Sequence, residues 1–172
     1  MRVCGLAGWS NSGKTTLMER LLPHIIDRGL SVSTVKHAHH DFDIDQPGKD
    51  SYRHRIAGAR EVMISSANRW ALMHENSDAS ELTLDDLIGH MRPVDLVLVE
   101  GFKAEALDKL EVHRPTTGKA LLCEADPRIV AVASDAALPD VGLPVLDLDD
   151  APAITDFIIG HCGLRARRRG AV

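Results

Sequence analysis

Gly8-Trp9-Ser10-Asn11-Ser12-Gly13-Lys14-Thr15-Thr16 fits the pattern Gly, four residues, Gly-Lys-Thr without departure. The apolar run at 3–7 precedes it, and Leu17-Met18-Glu19-Arg20-Leu21-Leu22 follows with apolar residues at helical spacing. Strand, glycine-rich loop and helix form the context in which this motif binds phosphate. Gly8 and Gly13 permit backbone angles that other residues resist. The loop can therefore curl with several N–H groups aimed inward at an anion. The following helix adds the positive end of its dipole. On this reading Gly8, Asn11, Ser12, Gly13, Lys14, Thr15 and Thr16 bind a nucleotide. Lys14 reaches the β- and γ-phosphates and serves the chemistry there, and the Thr15 hydroxyl faces Mg²⁺. The competing reading is a glycine-rich turn that happens to contain a lysine; the flanking strand and helix count against it.

Downstream, a first helix is expected over 14–28, ending at Gly29. A second strand follows at 30–35. With a helix between them, the two strands should be parallel neighbours joined right-handedly. Ligands in such sheets sit beyond the carboxyl ends of the strands, so the segment after Val35 starts on the rim of the phosphate loop. That segment is rich in chemistry: Lys36, His37, His39, His40, Asp41, Asp43, Asp45, Lys49, Arg53 and Arg55. Asp41, Asp43 and Asp45 begin like a calcium loop. However, the sixth position is Gln46 where Gly is needed, and the twelfth is Tyr52 where Glu is needed. Asp41 and Asp43 are instead candidates for holding magnesium, directly or through water. The histidines could bind a transition metal, and the basic residues could meet phosphates of a second substrate or partner. A solvated loop leading into a helix at 50–57 is the plain alternative.

Strands at 61–65 and 69–73 around Ser66-Ala67-Asn68 read as a hairpin. A hairpin in such a fold often extends the edge of the sheet, and an edge is a candidate for subunit pairing. A helix is expected at 80–91. The apolar run 94–99 has the character of a buried parallel strand and ends at Glu100-Gly101. There a carboxylate can hold a magnesium water or orient an attacking water, and Gly101 would let the backbone pass close to the γ-phosphate. A further strand at 110–112 precedes His113-Arg114-Pro115. The strand at 129–133 ends in Ser134-Asp135, and Asp135 is a candidate reader of the guanine N–H groups. The Asn-Lys-x-Asp signature is absent, so a turn or helix cap competes with that role. A last strand is expected at 144–146 and a last helix at 154–159.

The fold class is α/β: a three-layer phosphate-loop NTPase with a mostly parallel central sheet and a β-hairpin extension. Residues 1–160 read as a single nucleotide-binding domain, and 161–172, with Arg165, Arg167, Arg168 and Arg169, as a basic mobile tail. The 172 residues suit one domain. A net charge of −5 argues against a general nucleic-acid binder. No apolar run approaches the ~20 residues of a membrane span. Cys4, Cys123 and Cys162 are odd in number and contain no Cys-x-x-Cys pair, which suits reduced thiols in a cytoplasmic protein.

The phosphate loop, Lys36-His37, His40-Asp41-Phe42-Asp43-Ile44-Asp45-Gln46-Pro47-Gly48-Lys49-Asp50-Ser51, and Asp95-Leu96-Val97-Leu98-Val99-Glu100-Gly101-Phe102-Lys103 together resemble the MobB family. Its members are adaptors of molybdopterin-guanine dinucleotide biosynthesis. The similarity runs to about Phe157. The first motif is shared by many nucleotide-binding families; the histidine–aspartate stretch is more particular. The resemblance implies a dimer that binds GTP with Mg²⁺ and hydrolyses it weakly. It also implies a role beside the guanylyltransferase MobA, which joins GMP to molybdopterin, with the charged loop contacting that partner or the pterin product. Two other classes share the opening motif: a small-molecule kinase, and a metallochaperone-type GTPase using the histidines.

Overall fold

A computed structural model describes residues 1–38, 42–76, 81–102 and 105–167. The chain divides into two compact units, one of Met1–His37 with the chain from Arg92 onward, the other of Ala38–Met91.

In the first unit six strands form one parallel sheet: β1 (Arg2–Ala7), β2 (Val32–Lys36), β5 (Leu96–Glu100), β6 (Lys109–His113), β7 (Ile129–Ser134) and β8 (Val145–Asp147). Their order is β2-β5-β1-β6-β7-β8. The expected neighbours β1 and β2 are therefore separated by β5. Burial explains the insertion. Leu96, Val97, Leu98 and Val99 are each 0% exposed, so the most apolar strand takes an inner place. No residue of β2 is fully buried, and β2 takes the edge. This order puts Glu100 level with Leu6 on one side and with Lys36 on the other.

Helices α1 (Lys14–Asp27) and α4 (Ala151–His161) pack together on one face of the sheet. Leu17, Leu21 and Ile25 of α1 meet Ile154 and Ile158 of α4 over Leu6, Leu98, Leu110 and Ala133. Each large side chain so buried stabilises by roughly 1.5–3 kcal/mol, which fixes α1 and with it the loop that precedes it. The alternate residues of β6 point to the opposite face. They are Lys109, Glu111 and His113, all buried, in a strand whose sequence carries no local sign of a special role. Lys109 Nζ pairs with Asp126 Oδ2 at 2.9 Å. The Glu111 carboxylate accepts the backbone N–H groups of Leu122 and Cys123 at 2.8 and 2.9 Å.

Beyond α4 the chain is held as far as Arg167. Its N–H donates to Arg28 O at 2.8 Å, and its guanidinium meets Asp95 Oδ1 at 2.8 Å. Arg168 and Arg169 of the expected tail lie outside the described residues. The three cysteines are free.

The second unit contains α2 (Asp50–Ile56), the antiparallel pair β3 (Glu61–Ser65) and β4 (Trp70–His74), and α3 (Leu84–Gly89). Thr83 caps α3 in a reciprocal box with Asp86, which starts the helix later than expected. The hairpin forms a two-stranded sheet of its own and does not lengthen the central one. Its pairing is local: Ser66 N–H donates to Arg69 O at 2.9 Å across the turn, and β3 packs against α2. Val62 and Met73 face inward, while Met63, Trp70 and Leu72 are exposed on the other side.

Candidate nucleotide site

The phosphate loop turns between β1 and α1. Gly8 has φ +148°, and a Cβ there would lie 2.6 Å from both Ser12 Oγ and Val112 O. Any side chain would fill the inside of the turn. Asn11 is left-handed at φ 64° and Gly13 at φ 98°, and the helix begins at Lys14. Ser12 is 2% exposed, and its hydroxyl has no hydrogen-bond partner among the described residues. An unpaired buried hydroxyl costs about 1–3 kcal/mol; its position inside the loop fits a cradle built for a further acceptor or donor. Lys14 Nζ donates to Gly8 O at 3.0 Å and Trp9 O at 2.9 Å, so the ammonium lies across the loop it is expected to serve.

The Thr15 hydroxyl donates to Glu100 Oε1 at 2.9 Å, and Lys36 Nζ stands 3.8 Å from the same oxygen. The sheet order thus brings together Thr15 and Glu100, two of the four residues singled out for Mg²⁺. A hydroxyl and a carboxylate are the hard oxygen donors that this ion takes, so the residues present fit it. Gly101 has a role that the sequence did not reveal. At φ +96°, a Cβ there would lie 2.7 Å from the Cβ of His37. His37 N–H donates to Glu100 O at 2.9 Å, and its ring lies 4.8 Å from that of Phe102. The ends of β2 and β5 are therefore one close joint, and glycine is required by the neighbouring strand end.

Asp135 follows β7 directly. With Ser134, Ala136, Ala137, Val145, Leu146 and Asp147 it lines a cavity of about 300 Å³ at the carboxyl ends of β7 and β8. Its carboxylate already has a partner: Arg114 Nη1 lies 2.5 Å from Oδ2. Arg114 Nε donates in turn to Ser12 O at 3.2 Å. Sequence reasoning passed over Arg114. The sequence itself offered only a cation directly after a short strand; that this strand ends beside the phosphate loop follows from the sheet order. Trp9 is fixed from the same side, its indole N–H donating to Ala120 O at 2.8 Å.

The acidic stretch of the second unit is arranged differently. Arg55 Nη2 meets Asp43 Oδ1 at 2.7 Å and Asp45 Oδ1 at 2.8 Å, and Arg55 lies over the ring of Tyr52. The side chain of Asp45 is 1% exposed. The cation beside Asp43 and Asp45 is thus an arginine of the same unit. His39, His40 and Asp41 lie outside the described residues. Among the described residues, no group of three or more His, Cys, Asp or Glu side chains converges on a metal position. No helix among them is long and apolar enough to cross a membrane.

Residues 3–135 match the family described as MobB, molybdopterin guanine dinucleotide synthesis protein B. The molybdopterin-guanine dinucleotide biosynthesis adapter protein of Escherichia coli (strain K12) is 42% identical over 156 residues, covering 89% of each chain. The Haemophilus influenzae protein of the same name is also 42% identical over 156 residues, covering 90% of this chain and 85% of its own. Among solved structures, a crystal structure of molybdopterin-guanine biosynthesis protein B superposes with a TM-score of 0.73 at 28% identity, covering 92% of this chain and 99% of that one. Bacillus subtilis MobB superposes with a TM-score of 0.73 at 26% identity, covering 97% and 100%.

Proposed function

The chain belongs to the MobB family of phosphate-loop nucleotide-binding proteins, and from that membership we propose that it is a GTP-binding adaptor assisting the attachment of GMP to molybdopterin. The observation that carries this reading is the family match across the phosphate loop, Glu100 and Asp135, combined with the Thr15–Glu100 contact of 2.9 Å. Relatives named as adapters of this biosynthesis cover most of the chain.

In this reading residues 1–160 act as one nucleotide-binding domain that carries the second unit as an insertion, and 161–172 are its basic tail. Ser12, Gly13, Lys14, Thr15 and Thr16 hold the phosphates. Lys14 exchanges the carbonyls of Gly8 and Trp9 for phosphate oxygens, which accept its charge more strongly. Thr15 and Glu100 hold Mg²⁺, which when bound neutralises charge on the phosphates. Glu100 also orients water for slow hydrolysis. Asp135 reads guanine at the cavity it lines. The exposed Met63, Trp70 and Leu72 of the hairpin form the contact of a homodimer in the cytoplasm. The guanylyltransferase MobA is the partner, and molybdopterin or its guanine dinucleotide is carried between them.

The test mixes the purified chain with the guanylyltransferase, GTP, Mg²⁺ and molybdopterin. A complex on gel filtration and faster dinucleotide formation are expected. No complex and no effect on rate would remove the adaptor role. Rapid ATP-dependent phosphorylation of a small metabolite would replace it with a kinase.

A further inference from the structure

We propose that Arg114 is a phosphate-binding residue whose guanidinium meets the phosphate chain on the side of the loop that faces Asp135. This deepens the nucleotide reading above and rests on it for the location of the phosphates. The class of ligand is a polyphosphate or its nucleoside ester.

Position is the first argument. Arg114 is the first residue after β6, and β6 is the strand that pairs with β1 on the side away from β5, Ala7 lying opposite Glu111. The carboxyl end of β6 therefore rises beside the loop. The guanidinium lies 3.2 Å from Ser12 O, and its Nε and Nη2 are 3.5 and 3.7 Å from where a Cβ on Gly13 would be. Its other arm reaches Asp135 at the rim of the 300 Å³ cavity. A nucleotide with phosphates in the loop and its base in that cavity would have to pass this cation.

The second argument is hydrogen-bonding capacity. Arginine has five N–H donors in a rigid fork. Here one on Nε and one on Nη1 are used by Ser12 O and Asp135, which leaves most of the fork for an anion. The side chain is 36% exposed, so an anion can reach it. Guanidinium and phosphate match in a bidentate geometry that lysine does not reproduce. Asp135 then also holds the fork in place before the ligand arrives, which limits the entropy lost on binding. The simpler use of Arg114, a tie between the strand ends of β6 and β7, needs the Asp135 bond but gives no reason for Nε to lie on the phosphate loop.

The experiment measures equilibrium binding of GTP, ATP and inorganic tripolyphosphate, each with Mg²⁺ at fixed ionic strength, to wild type, R114A, R114K and D135N. Thermal melting checks that each variant is folded. R114A is expected to weaken GTP and tripolyphosphate by a similar factor, roughly 10- to 100-fold, and R114K to recover part of both. Tripolyphosphate binding that is unchanged in R114A overturns the proposal, whatever happens to GTP, because Arg114 would then act only through the base side. Wild type that binds no polyphosphate overturns it as well. A wild type that binds tripolyphosphate through Arg114 but shows no preference for guanine leaves the proposal standing and removes the GTP reading instead. D135N separates the two further, since loss of base reading lowers GTP affinity relative to tripolyphosphate. Should R114A unfold, R114K and its GTP-to-tripolyphosphate ratio carry the same decision.

Discussion

Glu100 in the first unit and Asp43 in the second are both carboxylates that the sequence offers to a divalent cation, and the protein treats them in opposite ways. Asp43 and Asp45 share the guanidinium of Arg55, ten to twelve residues along the chain. Their charge is balanced within the unit, and the side chain of Asp45 is buried against that cation. Glu100 accepts a hydroxyl from Thr15, and the ammonium of Lys36 is 3.8 Å away. A hydroxyl carries no charge, so the Glu100 carboxylate is only loosely balanced beside a loop built for anions. Density of acidic residues is thus a poor guide to a metal site. The partner across the sheet decides, and it is set by strand order.

The contrast can be broken most severely at Arg55. R55A leaves a buried carboxylate with no counter-charge, a strongly destabilising change. Hydrogen exchange is expected to show loss of protection throughout 42–76, while the first unit still binds nucleotide. Unchanged protection would mean that the arginine does not hold the second unit together. K14A comes next, with GTP affinity falling roughly 10- to 100-fold through loss of charge-assisted hydrogen bonds. Titration calorimetry with a slowly hydrolysed analogue reads this directly, and an unaltered Kd in a folded variant would defeat the phosphate-loop assignment. Smaller, but sharper as a comparison, is the pair E100Q and D43N. E100Q should reduce the strengthening of GTP binding by Mg²⁺ about tenfold, the loss of one charge-assisted contact; D43N should leave it intact. If D43N produces the larger loss, the two sites have been assigned the wrong way round.

The smallest effect is expected at Asp95, where β5 is entered. The backbone N–H and hydroxyl of Ser31, at 2.9 and 2.7 Å, hold its carboxyl below the usual carboxylate range, with Arg167 adding to the effect. A carboxylate with a depressed folded pKa stabilises fully above its unfolded value, near 4, and loses that contribution as pH falls through the folded value. S31A should therefore cost about 1 kcal/mol at neutral pH, and the gap should narrow on acidification below pH ~4. Urea melts at pH 7 and pH 3 measure it. A gap that widens in acid would reverse the sign.

Much of this was legible because local signals agreed with the fold. The phosphate loop, the end of α1 before Gly29 and the hairpin turn at 66–69 are short-range patterns, and the structure has them where the residues indicate. The sheet order was not legible. Nothing near β1 or β2 announces that β5 will lie between them; that follows from the burial of residues 96–99 together. The joint of Gly101 with His37 depends on that order, as does the Lys36–Glu100 contact. Arg114 was missed for a related reason: its two partners, Ser12 and Asp135, are 102 and 21 residues away. Buried charge on β6 also runs against the pattern expected of an inner strand, because its satisfaction comes from loop N–H groups at 122 and 123.

The distribution of tryptophan has a spectroscopic consequence. The chain contains two, Trp9 within the phosphate loop of the first unit and Trp70 on the exposed face of the hairpin in the second. Trp9 has its indole N–H on Ala120 O and Lys119 Nζ 5.8 Å from its ring; Trp70 is 57% exposed. Indole emission shifts with the polarity around the ring, so each unit carries its own optical label. W70F leaves a single emitter whose colour and polarisation follow the phosphate loop, and W9F leaves one that follows the hairpin face. Ligand arrival at one unit and burial of the other can thus be timed separately, in one cuvette, without attaching a dye.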